Sequence, residues 1–375
     1  RRLINPLAGF GCAAVQALFS AGWTISANRL YFSLHKPKRT VVIYRDESDL
    51  RKLEEIRFFA ERWSVERTVQ WDEENVHDLP YGKETLGGRS FEGVQKLMRI
   101  MEDYEAVFVS GVSATLRNGI VKYCVEKNKA CYFVPHTGDV NISGAEHIRS
   151  FSVPICRARR SRHAPEYLLL KRAMDIVLSL LAIIVLSPFM ALAALAIWSY
   201  DRGPVLYKQV RLTQDGRTFE ILKLRSMIVD AEKGGARLAG EHDDRITPVG
   251  RIIRAIRFDE LPQLFNILKG DMSIVGPRPE RPEIAEQYRQ ELPAFDLRLQ
   301  VKAGLTGYAQ IYGRYNTEPQ DKLKMDLMYI NHASLAEDIK LIFATVRVLF
   351  LRDSTCGVRE GQTTASVAEK TEKSA

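Results

Sequence analysis

The sequence predicts an α/β membrane protein in three parts: an amino-terminal membrane helix, a small α/β domain, and a mixed domain entered through a longer membrane helix. Three observations predict it. Residues 3–27 carry no charged side chain, residues 38–150 alternate β-branched runs with charged helical stretches, and Ile176 to Trp198 form 23 uncharged residues. A chain of 375 residues also exceeds what one core of average size organises, so at least two domains are expected.

The first run, LINPLAGFGCAAVQALFSAGWTISA, is weakly apolar because it holds Asn, Gln and Ser. Its 25 residues, at a rise of ~1.5 Å, could still cross a hydrocarbon core of ~30 Å. Arg29, Lys36, Lys38 and Arg39 follow and mark a cytosolic exit. The chain opens on Arg1-Arg2 and not on methionine, so residues 1–34 can be the last of several membrane helices. Five cysteines without CxxC spacing, and no cleavable signal pattern, suit a reduced, cytosol-facing protein with no zinc site.

Residues 38–150 read as a Rossmann-like α/β domain. A first strand, Thr40-Val41-Val42-Ile43-Tyr44, is followed by a helical stretch from Ser48 to Phe59 and a strand near Val65 to Trp71. Helix from Phe91 to Met101, strand from Ala106 to Val109, helix from Leu116 to Glu126 and strand from Ala130 to Val134 continue the alternation. The turn after the first strand, Tyr44-Arg45-Asp46-Glu47, lacks the glycines that let a backbone approach a pyrophosphate, which favours a regulatory or packing role.

Residues 151–172 form a basic linker with Arg157, Arg159, Arg160, Arg162, Lys171 and Arg172, expected against anionic lipid headgroups. The membrane segment at 173–202 is interrupted by Ser187-Pro188. Proline removes a backbone donor and clashes with the preceding turn, and Ser187 can bond a freed carbonyl, so a sharp bend is expected there. Arg202, Lys208 and Arg211 follow, so basic residues flank both ends. A single crossing normally keeps its positive excess on one side, so the flanks favour a re-entrant helix over a kinked spanning one.

Every motif that looks chemical falls within residues 203–352; residues 353–375 turn to Ser, Thr, Glu and Lys and are expected to be a disordered tail. A net charge of +8 suits nucleic acid, an anionic membrane or a phosphorylated substrate equally. Residues 254–270 read as a helix with an Asp cap, Pro262 in its first turn and Gly270 at its end. Asp259 and Glu260 would then lie at a helix N-terminus, which favours carboxylate anions and can hold phosphate. An ionised Asp259 fits a nucleophile and Glu260 a Mg²⁺ ligand; simple capping fits both as well.

A diphosphate needs its charge balanced as a bridging oxygen departs. Arg278 sits in a rigid Pro277-Arg278-Pro279 turn after the short strand Ser273 to Val275, and Arg314 follows three glycines in VKAGLTGYAQIYGR. Each is either a phosphate ligand or a surface arginine in a turn. Lys223 lies in the apolar stretch Ile221 to Met227, which asks for an anionic partner, and Asp326, within helical Lys322 to Ile330, fits metal or base support or a solvated surface.

These blocks come in a fixed order: KRAMDIV at 171–177, KLRSM at 223–227, TPVGR at 247–251, DELPQLFNILKGDMSIVGPRPE at 259–280, GLTGYAQIYGR at 304–314 and MDLMYI at 325–330. The series resembles the bacterial sugar transferase family, the monotopic polyprenyl-phosphate sugar-1-phosphate transferases, across residues 168–350. The resemblance implies a monotopic α+β catalytic domain with a re-entrant helix. It further implies Asp259 as the nucleophile that forms a covalent phosphosugar with loss of UMP, Glu260 as the Mg²⁺ ligand, Arg254, Arg278 and Arg314 on phosphates, and Lys223 and Asp326 in support. Implied partners are a UDP-sugar, with glucose or galactose as the donor sugar, undecaprenyl phosphate and anionic membrane lipids, with no nucleic acid; a homodimer is left open. The implied setting is the bacterial inner membrane, active site toward the cytosol, at the first membrane step of capsule, exopolysaccharide or O-antigen synthesis.

Two positions depart from the pattern. Ala303 stands where relatives often have Pro, and Leu212-Thr213 replace a more usual Val-Gly. Two other readings remain at this stage: an inactive scaffold that binds nucleotide-sugar or recruits polysaccharide machinery, and a glycosyltransferase that releases UDP.

Overall fold

The computed structural model describes residues 6–53, 60–72, 84–87, 91–148, 155–158, 160–161, 163–229, 231, 243–313 and 317–349. Its contacts divide into two units, Arg1–Val134 and Pro135–Ala375. The expected tail at 353–375, Arg159, Arg162 and Arg314 lie outside the described residues.

The first unit begins with α1 (Pro6–Leu34) and β1 (Lys38–Tyr44), then α2 (Glu47–Leu53), β2 (Trp63–Asp72), β3 (Glu84–Gly87) and α3 (Phe91–Glu102). It continues with β4 (Ala106–Ser110), α4 (Ala114–Glu126) and β5 (Ala130–Phe133). All pairings are parallel, in the order β3-β2-β1-β4-β5. Parallel strands covered on both faces read as unbroken apolar runs, which is why Val41 to Tyr44 and Ala106 to Ser110 are buried at every position. Side-chain alternation then divides them into two cores: Val41, Ile43, Val107 and Val109 pack with Leu97 and Ile120, while Val42, Tyr44 and Phe108 pack on the opposite face.

The second unit takes in residues that the sequence reading placed in the first domain. After α5 (Thr137–Ser143) and a hairpin of β6 (Glu146–Ile148) and β7 (Ile155–Arg157) comes α6 (Pro165–Asp201). Val140 of α5 lies in the core of this unit, and Asn331 Nδ2 donates to its carbonyl at 2.6 Å, which explains why the boundary falls earlier than residue 150. The chain proceeds through β8 (Leu206–Leu212), β9 (Thr218–Leu224), α7 (Pro248–Ala255), α8 (Gln263–Lys269), β10 (Ser273–Val275) and α9 (Pro282–Glu291). It ends with β11 (Gly304–Thr306), α10 (Tyr308–Ile311), α11 (Pro319–His332) and α12 (Leu335–Leu349). Ile267, Met272, Leu323, Leu327, Ile330 and Leu341 fill the core between these helices.

Among the described residues, α6 alone is long and apolar enough to cross a membrane. Leu181, Ile184, Val185 and Leu192 are 54 to 65% exposed, an arrangement that suits lipid and would be costly in water. The helix is continuous through Pro188, where the sequence predicts an interruption. Ser187 Oγ donates at 3.1 Å to Ile184 O, the carbonyl four residues before the proline that a normal residue 188 would have bonded.

The amino-terminal turns of α6 are fastened to the unit by three charged side chains. Arg172 donates to Ile267 O and Leu268 O at 2.6 and 2.7 Å, satisfying carbonyls at the end of α8. Asp175 accepts from Ile274 N in β10 at 3.0 Å. Lys171 pairs at 2.9 Å with Asp338, a fully buried carboxylate that also accepts from Tyr167 and Tyr329. Of the remaining linker cations that are described, Arg157 pairs with Glu146 and Arg160 with Asp215.

Candidate active site

The acidic pair is carried by a turn between two short helices. Thr247 caps α7, its Oγ1 accepting from Gly250 N at 2.9 Å, and Pro248 occupies the first helical position, where no N–H is needed. A side chain at Gly250 would lie 1.9 Å from Ser226 O, so only glycine lets α7 seat against that backbone. The chain leaves α7 through Arg257, whose φ of 54° is left-handed, a conformation that costs a non-glycine residue about 1 kcal/mol. It then forms a 3₁₀ turn over Phe258–Glu260 before α8 begins at Gln263. Asp259 and Glu260 therefore sit in this turn and do not cap an α-helix as the sequence suggested; Pro262 precedes α8 and delays its start.

Lys223 reaches the turn from β9 and Arg278 from the loop after β10. Lys223 Nζ and Arg278 Nη2 each lie 2.9 Å from Glu260 Oε1. Burial would raise the Glu260 pKa, but Arg278 and Lys223 outweigh it and hold the carboxyl well below its ordinary range. Asp259 moves the opposite way: burial and then Glu260 push it up, against Lys223, Arg254 and Arg278. Among the described residues nothing hydrogen-bonds to the Asp259 carboxylate. With Arg257 also acting on both acids, four cations surround two carboxylates, an excess that suits a diphosphate.

Two supports fix the cations. Gly276 and Gly304 pass in direct backbone contact, since a side chain on Gly304 would lie 2.1 Å from Gly276 N. That approach, with the parallel pairing of Ser273 with Gly304 and Val275 with Thr306, sets the root of the Arg278 turn. Behind it, Arg298 donates to Arg278 O at 2.9 Å and pairs at 2.7 Å with Asp326, which is 1% exposed. Asp326 is thus placed behind Arg278, with Arg298 and Arg278 between it and the acidic pair. Arg254 lies on α7 close enough to act on Asp259.

Sequence reasoning missed Asn266. Its side chain accepts from Leu222 N at 3.0 Å and donates to Glu220 O at 2.7 Å, acting as a single strand residue on the free edge of β9. This clasp joins α8 to the strand that carries Lys223. The only available signal was a polar residue on the buried side of an apolar helix between Leu264 and Ile267. Arg257 and Arg298 were missed as well, being two of many arginines.

Among the described residues no three His, Cys, Asp or Glu side chains converge to hold a metal unaided. Mg²⁺ is nevertheless compatible with the donor set. Only Oε1 of Glu260 is taken by Lys223 and Arg278, so its other oxygen and the Asp259 carboxylate remain for an ion that normally draws further ligands from phosphate and water.

Residues 166–352 match the family described as bacterial sugar transferase. A putative undecaprenyl-phosphate N-acetylgalactosaminyl 1-phosphate transferase of Bacillus subtilis (strain 168) is 46% identical over 152 residues, covering 40% of this chain and 85% of the relative. A UDP-N-acetylgalactosamine-undecaprenyl-phosphate N-acetylgalactosaminephosphotransferase of Aeromonas hydrophila is 41% identical over 50% of this chain. A UDP-glucose:undecaprenyl-phosphate glucose-1-phosphate transferase of Escherichia coli (strain K12) is 35% identical over 69% of this chain. The chain spans 45% and 59% of the length of these last two relatives. The family match falls on the unit that carries Asp259, Glu260, Lys223 and Arg278, and the Bacillus relative is covered over most of its length: the chain belongs to the bacterial sugar transferase family.

Proposed function

We propose that this chain transfers a sugar-1-phosphate from a UDP-sugar to undecaprenyl phosphate through a covalent phosphosugar on Asp259, with UMP as the first product. The observation that carries the reading is the contrast within the acidic pair: Glu260 is fixed between Lys223 and Arg278, while Asp259 beside it accepts no hydrogen bond from any described residue. An Asp259 oxygen would bond to the β-phosphorus as the bond from that phosphorus to the bridging oxygen breaks, its electron pair leaving with UMP. A phosphate oxygen of undecaprenyl phosphate would then attack the same phosphorus, breaking the aspartyl bond and restoring the carboxylate.

Arg254, Arg278 and Arg314 would hold the phosphates, and Lys223 would keep Glu260 ionised and oriented. Asp326 would act through Arg298 on the position of Arg278. Mg²⁺, held by Glu260, would screen the diphosphate and polarise its oxygens. The names of the Aeromonas and Bacillus relatives support an N-acetylgalactosamine donor and that of the Escherichia relative a glucose donor; the resemblance also keeps galactose. Arg172 before the apolar run and Arg202 after it support a re-entrant α6, which would have to bend at Pro188 while staying helical, with the site at the cytosolic face of the inner membrane. The product would start a capsule, exopolysaccharide or O-antigen.

The leaving group tests this. Membranes containing the chain, given Mg²⁺, undecaprenyl phosphate and a panel of UDP-sugars, are expected to release UMP. Release of UDP would identify an ordinary glycosyltransferase, and no release with any donor would favour a scaffold.

A further inference from the structure

A second group of cations gathers at the far end of α8. Gly270 ends that helix at a φ of 98°, and a methyl group placed on it would lie 3.4 Å from Arg172 Nη2 and 3.7 Å from Lys302 Nζ. Two cationic side chains therefore flank the same bare backbone. Arg172 commits both Nη groups to the carbonyls of Ile267 and Leu268. Lys302 is different: it is half-buried, and among the described residues its ammonium makes no hydrogen bond.

The surroundings compensate that charge only in part. Burial lowers the Lys302 pKa, Arg172 and Arg217 lower it further, and Asp175 and Asp271 oppose them. Asp175 accepts from Ile274 N, and Asp271 pairs with the exposed Lys269 at 3.0 Å. A half-buried ammonium with three donors and two guanidinium neighbours is a site for an anion with several acceptor oxygens.

Its level relative to a bilayer indicates the source of that anion. Arg172 precedes the first residue of the uncharged run, Ile176, by four positions, about 6 Å along a helix, which places it within the headgroup layer of a seated α6. Leu168, Leu169 and Leu170, just before it, are all at least half exposed and apolar, so lipid can reach this face.

We propose that Lys302, with Arg172 and Arg217 supplying charge, binds the phosphate of an anionic membrane lipid at the foot of α6. A free phosphate ion would satisfy the same donors. The inference rests on α6 lying in a bilayer, which the proposed function also assumes, and is independent of the chemistry at Asp259.

The test is amine labelling of the full chain, read at Lys302 by mass spectrometry, in maltoside micelles, in micelles with inorganic phosphate, and in phosphatidylglycerol nanodiscs. At about ten times the ligand's dissociation constant, labelling of Lys302 is expected to fall about tenfold in the nanodiscs. The Lys302→Gln protein should retain fewer phosphatidylglycerol molecules than wild type when released from nanodiscs, and Lys302→Arg should restore them. Protection by inorganic phosphate in micelles supports the site and assigns it a free ion. Unchanged labelling in both arms overturns it. Vesicle flotation reports the seating of α6 separately; a chain that does not float refutes that seating and leaves the phosphate arm to decide the site.

Discussion

Lys223 Nζ and Arg278 Nη2 meet at one oxygen of Glu260, each at 2.9 Å, although one comes from the hairpin strand β9 and the other from the turn after β10. Two cations on one carboxylate keep Glu260 ionised and leave Asp259, the neighbouring acid, with no hydrogen bond to any described residue. The electrostatics of the pair are thereby divided, with one carboxyl held low and the other raised.

This division predicts a pH profile. The reactive form of Asp259 is the anion, which is present above its pKa and lost as pH falls through it. Since burial and Glu260 raise that pKa, kcat/KM should fall on the acid side at a pH above the ordinary aspartate value of about 3.9. Lys223 favours the anion, so Lys223→Met should move the acid limb to still higher pH. A limb that stays in place or moves lower in this variant would remove Asp259 as the group titrating.

Asn266 predicts a coupled loss of stability and activity. Asn266→Leu strands Leu222 N and Glu220 O, and at about 1–3 kcal/mol for each unsatisfied group the two together cost about 2–6 kcal/mol. Urea denaturation should show a loss in that range, and kcat should fall more than KM rises, because the strand carrying Lys223 is released from α8. Asn266→Asp keeps the acceptor for Leu222 N and should recover part of both. Wild-type kcat in Asn266→Leu would show that the clasp does not position Lys223.

The two departures from the family pattern meet in space. Ala303 N donates to Thr213 Oγ1 at 3.2 Å, and Thr213 Oγ1 donates to Asp271 O at 2.9 Å. A proline at 303 has no N–H and a glycine at 213 has no hydroxyl, so each substitution alone breaks the bond and the pair removes both partners. Thr213→Gly and Ala303→Pro should each destabilise, and the double variant should be more stable than additivity predicts by about 1 kcal/mol. Strict additivity in thermal unfolding would show that the two positions are independent.

Asp338 anchors α6. Removing one partner of a buried ion pair leaves the other charge uncompensated, so Asp338→Ala should cost about 3–5 kcal/mol, measured by denaturation in detergent. Replacing Lys171 by Met in the same chain should return much of the loss. An unchanged denaturation midpoint in Asp338→Ala would contradict an anchoring role.

The parallel sheet was legible because its strands are buried on both faces and so carry unbroken apolar runs, as at Val41 to Tyr44. The cations Lys223 and Arg278 could be singled out from their local setting, an apolar strand and a Pro-Arg-Pro turn. What joins them to Glu260 was not legible, since β9, the acidic turn and β10 are brought together by long-range packing. Asn266 and Arg298 were hidden for a similar reason: their partners are backbone atoms of distant segments, which leave no side-chain pattern. The 3₁₀ turn at Asp259 was read as a helix start because Pro262 is tolerated in a first turn, whereas here it precedes α8. α6 stays helical through Pro188, with Ser187 Oγ on the carbonyl that the proline leaves free, a hydroxyl the sequence offered without deciding the outcome.

The measurement that bears most directly on the central claim is transfer of label to the protein. A UDP-sugar labelled in its β-phosphate, supplied with Mg²⁺ and no undecaprenyl phosphate, should leave label on Asp259 in wild-type protein, together with one UMP per labelled chain. Added undecaprenyl phosphate should discharge it, and Asp259→Asn should take up none. Sustained turnover by Asp259→Asn, or wild-type turnover that never passes through labelled protein, would contradict the account.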